Sequence, residues 1–447
     1  MARNDYLMTD KPLKALFVFA MPMIIGNIFQ QIYNIADSAI VGRYVSEGAL
    51  AAVGDCAALA FIYISVAVGA GVGSSVIVSR HFGENDMKSM KTAFSTAFIT
   101  FLIFSILLAA VSFVFGRPLM VLLKTPADIL DMVMEYLQIY FLSLPFLFMY
   151  NVIAAMFNAL GKSRIPLYFL IFSSLFNIVL DIILVTRFNL GVTGVALATL
   201  IAQGLSAVLS FIYLIRIMNE LCPEKTPLYD AKEFSAMMRI ALPSILQQST
   251  ISVGMLIVQV VVNSMGSEVL AGFSAAYRIE QVCIVPMAQI SNAMSAYTAQ
   301  NLGANKPERI PQGLRAALII DGGFALLWIA MCTGLRVPLT KLFLDPAASA
   351  VAFETSTYYL MMIGFFFFII GVKMAFDGVL RGSGDMTMFT VANLVNLAVR
   401  IVITFTFGPI VGIAAIVFSE PVGWFLNALI SGLEYRTGKW RRLSNHS

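Results

Sequence analysis

The sequence contains few charged residues. Of its 447 residues, 12% are charged and 59% are hydrophobic, whereas soluble domains carry about 25% charged residues. The mean hydropathy is +0.85. A core built from a chain of this length could not hide so much apolar surface. The composition therefore excludes a soluble protein and indicates an integral membrane protein.

Histidine and cysteine are also scarce. The chain has two histidines, His81 and His446, and four cysteines that lie far apart without a C-x-x-C pair. This excludes a disulfide framework, a zinc site and H-E-x-x-H chemistry. We therefore expect no metal centre of that kind and no cofactor. Basic residues are scattered through short loops and form no run, so we expect no nucleic-acid partner.

Long uncharged stretches dominate what is present. Crossing a bilayer takes about 20 apolar residues. Seven stretches of 22 or more residues have no charge: 15–36, 57–79, 92–116, 136–161, 188–215, 240–267 and 281–305. Five more are interrupted by charge, four of them by one residue and 355–380 by Lys373 and Asp377: 165–186, 316–335, 355–380, 387–408 and 411–433. Since backbone groups in lipid must pair internally, these stretches predict an all-α membrane protein with twelve spans.

The distribution of basic residues predicts the orientation. With a cytoplasmic amino terminus, the inside segments hold 20 Lys and Arg and the outside loops hold 7. The positive-inside rule then puts both termini in the cytoplasm. We expect a multi-pass protein of the cell membrane (plasma or inner membrane) that works as a monomer.

The chain repeats itself with an offset of about 220 residues. RPLMVLLKTPA at 117–127 matches VPLTKLFLDPA at 337–347 at five of eleven positions, and SRHFGEN at 79–85 matches AQNLGAN at 299–305 in Gly and Asn. Pro22 lies opposite Pro243, and 177–181 lies opposite 396–400. We therefore predict two six-helix lobes related by a parallel pseudo-two-fold axis, the architecture of many secondary transporters. The predicted boundaries are 1–218 for the first lobe, 219–239 for a cytoplasmic linker and 240–447 for the second lobe.

Asp37 is the strongest candidate for a functional charge, because charges within spans are costly and rare. In span 1, polar side chains at 27, 30, 34 and 37 recur at helical spacing and share one face. Span 7 carries Ile257 where span 1 has the acid. The alternative is that Asp37 caps the outer end of span 1 near the headgroups.

Asp181 follows Asn177 by four residues in span 5. At 1.5 Å per residue it lies about 24 Å from the cytoplasmic start of its span, and Asp37 lies about 33 Å from the start of span 1. Both acids therefore fall in the outer half of the membrane, within reach of Thr199 in span 6. Two carboxylates, an amide and a hydroxyl at one depth could bind a proton or a hard cation such as Na⁺.

The other intramembrane charges leave alternatives open. Arg400 occupies the repeat position of Asp181 and could contact substrate or pair with Glu420 or Asp321. Lys373 is expected to be buried or to snorkel. Asp377 and Arg381 are interpreted as a surface pair, because they are four residues apart near a helix end. Asp321 is either a proton site or a partner for the region around Arg315.

An intramembrane aspartyl protease is the enzyme hypothesis. GSGD at 382–385 matches the short motif of such proteases, and Tyr229 with Asp230 could supply the partner. Both pieces lie in predicted cytoplasmic loops, whereas that chemistry needs two aspartates facing each other inside spans. We therefore expect no enzyme.

Several motifs together resemble one family. They are AMP at 20–22 followed by Asp37 and VGR, NIVLD at 177–181, GVTGVALAT at 191–199, QNLGAN at 300–305 and VLRGSGD at 379–385. With these motifs the chain resembles the multidrug and toxic compound extrusion (MATE) family over nearly its whole length. The resemblance implies two six-helix lobes and export of cationic or amphipathic organic compounds in exchange for H⁺ or Na⁺.

The acids of spans 1 and 5 resemble those of the DinF-like branch, whose first lobe carries the coupling cation. That likeness implies a coupling site at Asp37, Asn177, Asp181 and Thr199. It also implies cavity-wall roles for Gln30 and Asn151 and a hinge at Pro22. Asn34 and Arg400 are further candidates for the cavity wall. The acids that the NorM-like branch has in spans 7 and 10 are absent, since Ile251 and Ile370 stand near those places.

The sequence thus predicts a cation-coupled efflux antiporter that works by alternating access, with H⁺ as the coupling ion and Na⁺ as the alternative. A flippase for lipid-linked oligosaccharides or lipids is the second hypothesis, and a cavity rich in Arg and Lys would favour it. A channel is disfavoured, because no ring of like residues and no re-entrant segment is visible.

Overall fold

The structure is a computed structural model that describes residues 5–45, 47–123, 125–344 and 349–441. Lys124 and residues 345–347 of the repeated motif lie outside these ranges. Within them the chain is helical throughout, without a strand. The helices are α1 (Tyr6–Thr9), α2 (Pro12–Tyr44), α3 (Glu47–Glu84), α4 (Met87–Leu122), α5 (Leu130–Ala159), α6 (Arg164–Thr186), α7 (Gly191–Leu221), α8 (Ala231–Asn263), α9 (Ser267–Gly303), α10 (Arg309–Gly334), α11 (Arg336–Phe343), α12 (Ala350–Ser383), α13 (Met386–Val411) and α14 (Ile413–Thr437). A 3₁₀ turn, Lys439–Arg441, follows.

Twelve of these helices have 23 or more residues, which confirms the predicted all-α class and the set of spans. Eleven of the twelve are long and apolar enough to cross a membrane. The remaining one, α9, has 37 residues and is more polar. The sequence placed the start of this span at 281, after Glu280, whereas the helix runs from Ser267 through that glutamate.

Two compact units divide the described helices. One contains Met21–Ile245, and the other contains Tyr6–Ala20 together with the chain from Leu246 onwards. Both divisions fall inside a helix, in α2 between Ala20 and Met21 and in α8 between Ile245 and Leu246. Pro22 is buried and α2 continues through it. The lobe boundaries at 218 and 240 and the hinge at Pro22 stay predictions.

The repeat can be seen in the backbone. Asn85 and Asn305, which are 220 residues apart, follow the carboxyl ends of α3 and α9 with φ of 63° and 54°. Asparagine tolerates this left-handed conformation better than most residues. In both copies the next amide bonds back to an equivalent carbonyl, Asp86 to His81 and Lys306 to Asn301. The aligned motifs therefore form the same turn.

In each unit, polar contacts hold the chain near the start of a long helix. In the second unit, Asn301 and Arg309 donate to the carbonyl oxygens of Leu7 and Asp10, at 3.1 and 2.6 Å. In the first unit, Lys91 donates to the carbonyl oxygen of Cys222 at 2.9 Å, and Glu233 lies 3.0 Å from His81. These contacts fix the ends at which α2 and α8 begin.

Close helix packing in the second unit depends on glycine. A Cβ at Gly378 would lie 2.6 Å from the carbonyl oxygen of Ser291, and one at Gly382 would lie 2.3 Å from that of Ser295. Helices α12 and α9 thus meet backbone to backbone. Small residues permit this approach in membrane helices, where packing replaces hydrophobic driving force.

Candidate functional site: a carboxylate pair in the first unit

Asp37 lies on α2, one turn after Tyr33. Both side chains are half-buried. The Oδ1 atom of Asp37 is buried and finds no hydrogen-bond partner in the described part of the chain. Because a buried charge without a partner is costly, this position suits the binding of a proton or another cation.

Asp181 and Asn177 lie one turn apart on α6 and are 0% and 2% exposed. A tight turn returns the chain to them: Asn189 and Gly191 have φ of 52° and 55°, and α7 begins at Gly191. Two turns into α7, the buried Thr199 reaches Asn177. The glycine is required here because few other residues adopt a positive φ without strain.

The amide of Asn177 connects these groups. With its oxygen facing a donor, it accepts from the backbone N–H of Thr199 at 3.1 Å, and its nitrogen donates to Oδ2 of Asp181 at 2.8 Å. The same nitrogen lies 3.3 Å from the hydroxyl oxygen of Tyr33. One amide therefore holds residues of α2, α6 and α7 together.

The carboxyl groups of Asp37 and Asp181 face each other closely enough to share a hydrogen bond. Oδ1 of Asp181, like that of Asp37, has no donor among the described residues. Two carboxylates this close cannot both remain charged cheaply, so they titrate as a pair. The arrangement is chemically suited to bind and release one cation.

Three tyrosines in or next to this site were not predicted from the sequence. Tyr33 hydrogen-bonds with the side chain of Thr199 and lies near both acids, and Tyr136 of α5 lies near Asp37. Tyr136 and Tyr140 stack with ring centroids 6.3 Å apart. Tyr33 carries a usable signal, because it is one turn from Asp37. Tyr136 and Tyr140 have only the apolar context typical of core residues.

The predicted wall residues lie elsewhere. Gln30 and Asn34 are exposed, and Asn34 donates to Gln31 at 3.3 Å. Asn151 donates to the carbonyl of Leu147 in its own helix at 2.8 Å. Arg400 belongs to the second unit. Their contact with substrate stays a prediction.

Contacts within the second unit decide between several alternatives that the sequence left open for its charged residues. Arg400 forms an ion pair with Glu420. Lys373 is buried, and its Nζ lies 2.9 Å from Oδ2 of Asp377. The interpretation of Asp377 and Arg381 as a surface pair is wrong, since both are buried and Arg381 donates to Asn292 at 2.8 Å. Burial explains why Asp377 pairs with Lys373, because an internal aspartate needs a close cation.

Asp321 is buried on α10, and neither of its oxygens has a hydrogen-bond partner among the residues described. It packs against Gly371 of α12. The expected partnership with the region of Arg315 receives no support from these contacts.

The two aspartates of the protease hypothesis lie outside the spans. Asp385 occupies the turn between α12 and α13, and the backbone N–H of Asp230 donates to Thr96 before α8 begins. Burial and the neighbouring Glu434 raise the pKa of Asp385 to about 6. Neither aspartate is placed as intramembrane proteolysis requires.

Two pseudo-repeats of long apolar helices with a buried carboxylate pair define a polytopic membrane protein of the transporter class. The sequence model of the MatE family matches residues 22–183 and 243–406. The two matches begin 221 residues apart (243 minus 22), so each covers one copy of the repeat. The chain belongs to the MatE family, whose members are transporters and not enzymes.

Relatives match over almost the whole chain. A protein of Bacillus subtilis described as a probable multidrug resistance protein, YpnP, is 30% identical over 434 residues, which is 96% of each chain. The multidrug export protein MepA of Staphylococcus haemolyticus is 24% identical over 93% of this chain and 91% of its own.

Solved structures share the fold. A multidrug resistance MATE family transporter of the MOP superfamily, in an outward-facing conformation, has a TM-score of 0.91 at 21% identity and covers 99% of both chains. The MATE transporter VcmN of Vibrio cholerae, in its bent form, has a TM-score of 0.88 at 21% identity, over 98% of this chain and 99% of its own. These likenesses confirm the two-lobe helical fold.

Proposed function

We propose that this protein is a cation-coupled secondary antiporter that exports cationic or amphipathic organic compounds across the plasma membrane by alternating access. The observation that carries the proposal is the face-to-face pair of Asp37 and Asp181, each with an oxygen that lacks a donor among the described residues. The names of the relatives, multidrug resistance and multidrug export proteins, support the substrate class.

We propose H⁺ as the coupling ion, with Na⁺ as the alternative. Sodium requires several oxygen ligands. At this site Asn177 directs its nitrogen toward Asp181, and its oxygen already accepts from Thr199. The two carboxyl groups remain, and a shared proton satisfies a pair of carboxyl groups without further ligands.

In the proposed cycle, substrate and proton exclude each other through the charge of the pair. Protonation from outside removes the charge and releases a cationic substrate, and deprotonation toward the cytoplasm restores affinity. The coupling is a difference in affinity between two conformations, which is typically 1–3 kcal/mol for linked sites. The DinF-like assignment and the cytoplasmic termini belong to the same proposal.

Counterflow in proteoliposomes, with pH and Na⁺ gradients imposed separately, tests the proposed antiport and its coupling ion. We expect an organic cation such as ethidium to accumulate under a pH gradient without Na⁺. Accumulation driven by Na⁺ at clamped pH, and absent under a pH gradient alone, would make Na⁺ the coupling ion. Failure under both gradients, with protein that is monodisperse, would contradict antiport.

A further inference from the structure

The second unit contains a buried charged cluster that the proposed coupling centre does not use. Glu280 of α9 is 0% exposed, and the hydroxyl of Tyr359 of α12 donates to its Oε2 at 2.5 Å. The carboxyl groups of Glu280 and Glu420 face each other, and Glu420 also pairs with Arg400. The cluster therefore joins α9, α12, α13 and α14.

One atom of the cluster is left without a partner. Oε1 of Glu280 has no hydrogen-bond donor in the described part of the chain. Tyr277 and Cys283, which flank Glu280 on α9, belong to an apolar core shared with residues of α12 and α14. A bare carboxylate oxygen in such surroundings is costly, so the site suits a ligand that supplies a donor.

The charges of the cluster identify that ligand. With both acids ionised, Glu280 and Glu420 carry two negative charges and Arg400 carries one positive charge. Tyr277, Tyr359 and Cys283, which also face Glu280, are neutral as ordinary hydroxyl and thiol groups. One proton makes the cluster neutral and gives Oε1 its donor. A metal cation would meet the Arg400 guanidinium at the same carboxylates, which disfavours it.

The repeat supplies an independent observation. Arg400 and Glu420 correspond to Asp181 and Thr199 at offsets of 219 and 221, and Tyr359 corresponds to Tyr140 at 219. Gly254 of α8 corresponds to Asn34 of α2 at 220, and a Cβ there would lie 3.4 Å from the Arg400 guanidinium. Arg400, Glu420 and Tyr359 therefore occupy repeat positions of the first unit's site, with an arginine in place of Asp181.

We propose that Glu280 and Glu420 form a second proton-binding site, which holds one proton between the two carboxyl groups while Arg400 neutralises the remaining charge. The site deepens the proposed function and rests on it for its role in transport, because it adds a second exchangeable proton. Proton binding itself does not depend on transport.

Infrared difference spectroscopy of the purified full-length protein in detergent, titrated with acid and base, tests the proposal directly. We expect a component of the carboxylic-acid carbonyl band that persists in the Asp37→Asn/Asp181→Asn double variant and in Asp385→Asn, and that is lost in Glu280→Gln. The matched control is Glu354→Gln, which removes an exposed glutamate of the same unit and should leave the band unchanged.

Tyr359→Phe keeps the proposal testable if Glu280→Gln does not fold. It removes the donor to Oε2 and should shift the carbonyl band to higher frequency. Absence of the band from the Asp37→Asn/Asp181→Asn variant would overturn the proposal, as would a band unchanged by Glu280→Gln or by Tyr359→Phe. A protein that shows the band but transports nothing would refute the antiport function and leave the proton site standing.

Discussion

Asp37 and Asp181 face each other from two helices of one unit, and each keeps an oxygen that no described residue satisfies. Asn177 fills part of the space between α6 and α7 by bonding Asp181 at 2.8 Å and Thr199 at 3.1 Å. Asn177 thus holds one side of the pair, and the two oxygens without a donor are suited to bind a single small cation.

Replacing both members of the buried ion pair, Lys373 and Asp377, should destabilise the protein less than replacing one of them. Removing one partner leaves an uncompensated buried charge, and we expect Lys373→Met to cost about 3–5 kcal/mol. The double variant Lys373→Met/Asp377→Leu should recover most of this loss. Thermal unfolding in detergent measures the stability of both variants. A double variant that is as unstable as Lys373→Met would contradict the explanation.

Gly378 should tolerate no side chain. A Cβ there would lie 2.6 Å from the carbonyl oxygen of Ser291, so Gly378→Ala should force α12 away from α9 at a cost of about 1–3 kcal/mol. Gly323→Ala is the matched control, because nothing lies within 4 Å of its Cβ position. Equal unfolding temperatures for the two variants would contradict the close approach.

Asp385 should make stability depend on pH. Its pKa is raised from 3.8 to about 6 by burial and by Glu434, so the folded state binds more protons than the unfolded state between these values. This contribution is present below about pH 4 and is lost as the pH rises through 6, and we expect a loss of about 2 kcal/mol. Asp385→Asn should remove it.

Unfolding temperatures at pH 5 and pH 7 measure this effect. The difference between the two temperatures should shrink in Asp385→Asn and stay unchanged in Asp131→Asn, whose side chain is 82% exposed. An undiminished difference in Asp385→Asn would show that other groups cause the pH dependence.

Topology follows from the excess of basic residues on the proposed cytoplasmic side. The four native cysteines are buried, so a membrane-impermeant thiol reagent should label them little. Lys225→Cys should react only from the cytoplasmic side and Arg117→Cys only from outside. Labelling of both positions from one side would overturn the orientation.

The sequence predicted much of this structure because lipid imposes strict rules on it. Span length, helical spacing and the rise per residue were enough to bring Asp37, Asn177, Asp181 and Thr199 to one level. The repeat could be aligned because its turns need particular residues, as at Asn85 and Asn305.

Other features could not be predicted from the sequence, for physical reasons. Glu280 was placed before its span because a charge was treated as a boundary, whereas Tyr359 and Glu420 accommodate it inside the unit. Asp377 lies four residues from both Lys373 and Arg381, so spacing alone does not select the partner. Tyr136, on which Tyr140 stacks, comes close to Asp37 through the packing of α5, which no local pattern reveals.

The central claim is that Asp37 and Asp181 couple export to the cation gradient, and uphill export by their neutral variants tests it most directly. Asp37→Asn, Asp181→Asn and the double variant, reconstituted in proteoliposomes, should remain monodisperse but fail to move an organic cation against its gradient under an imposed pH difference. Glu354→Gln, an exposed change in the other unit, should export as the wild type does. Robust uphill export by the Asp37→Asn/Asp181→Asn protein would contradict the account.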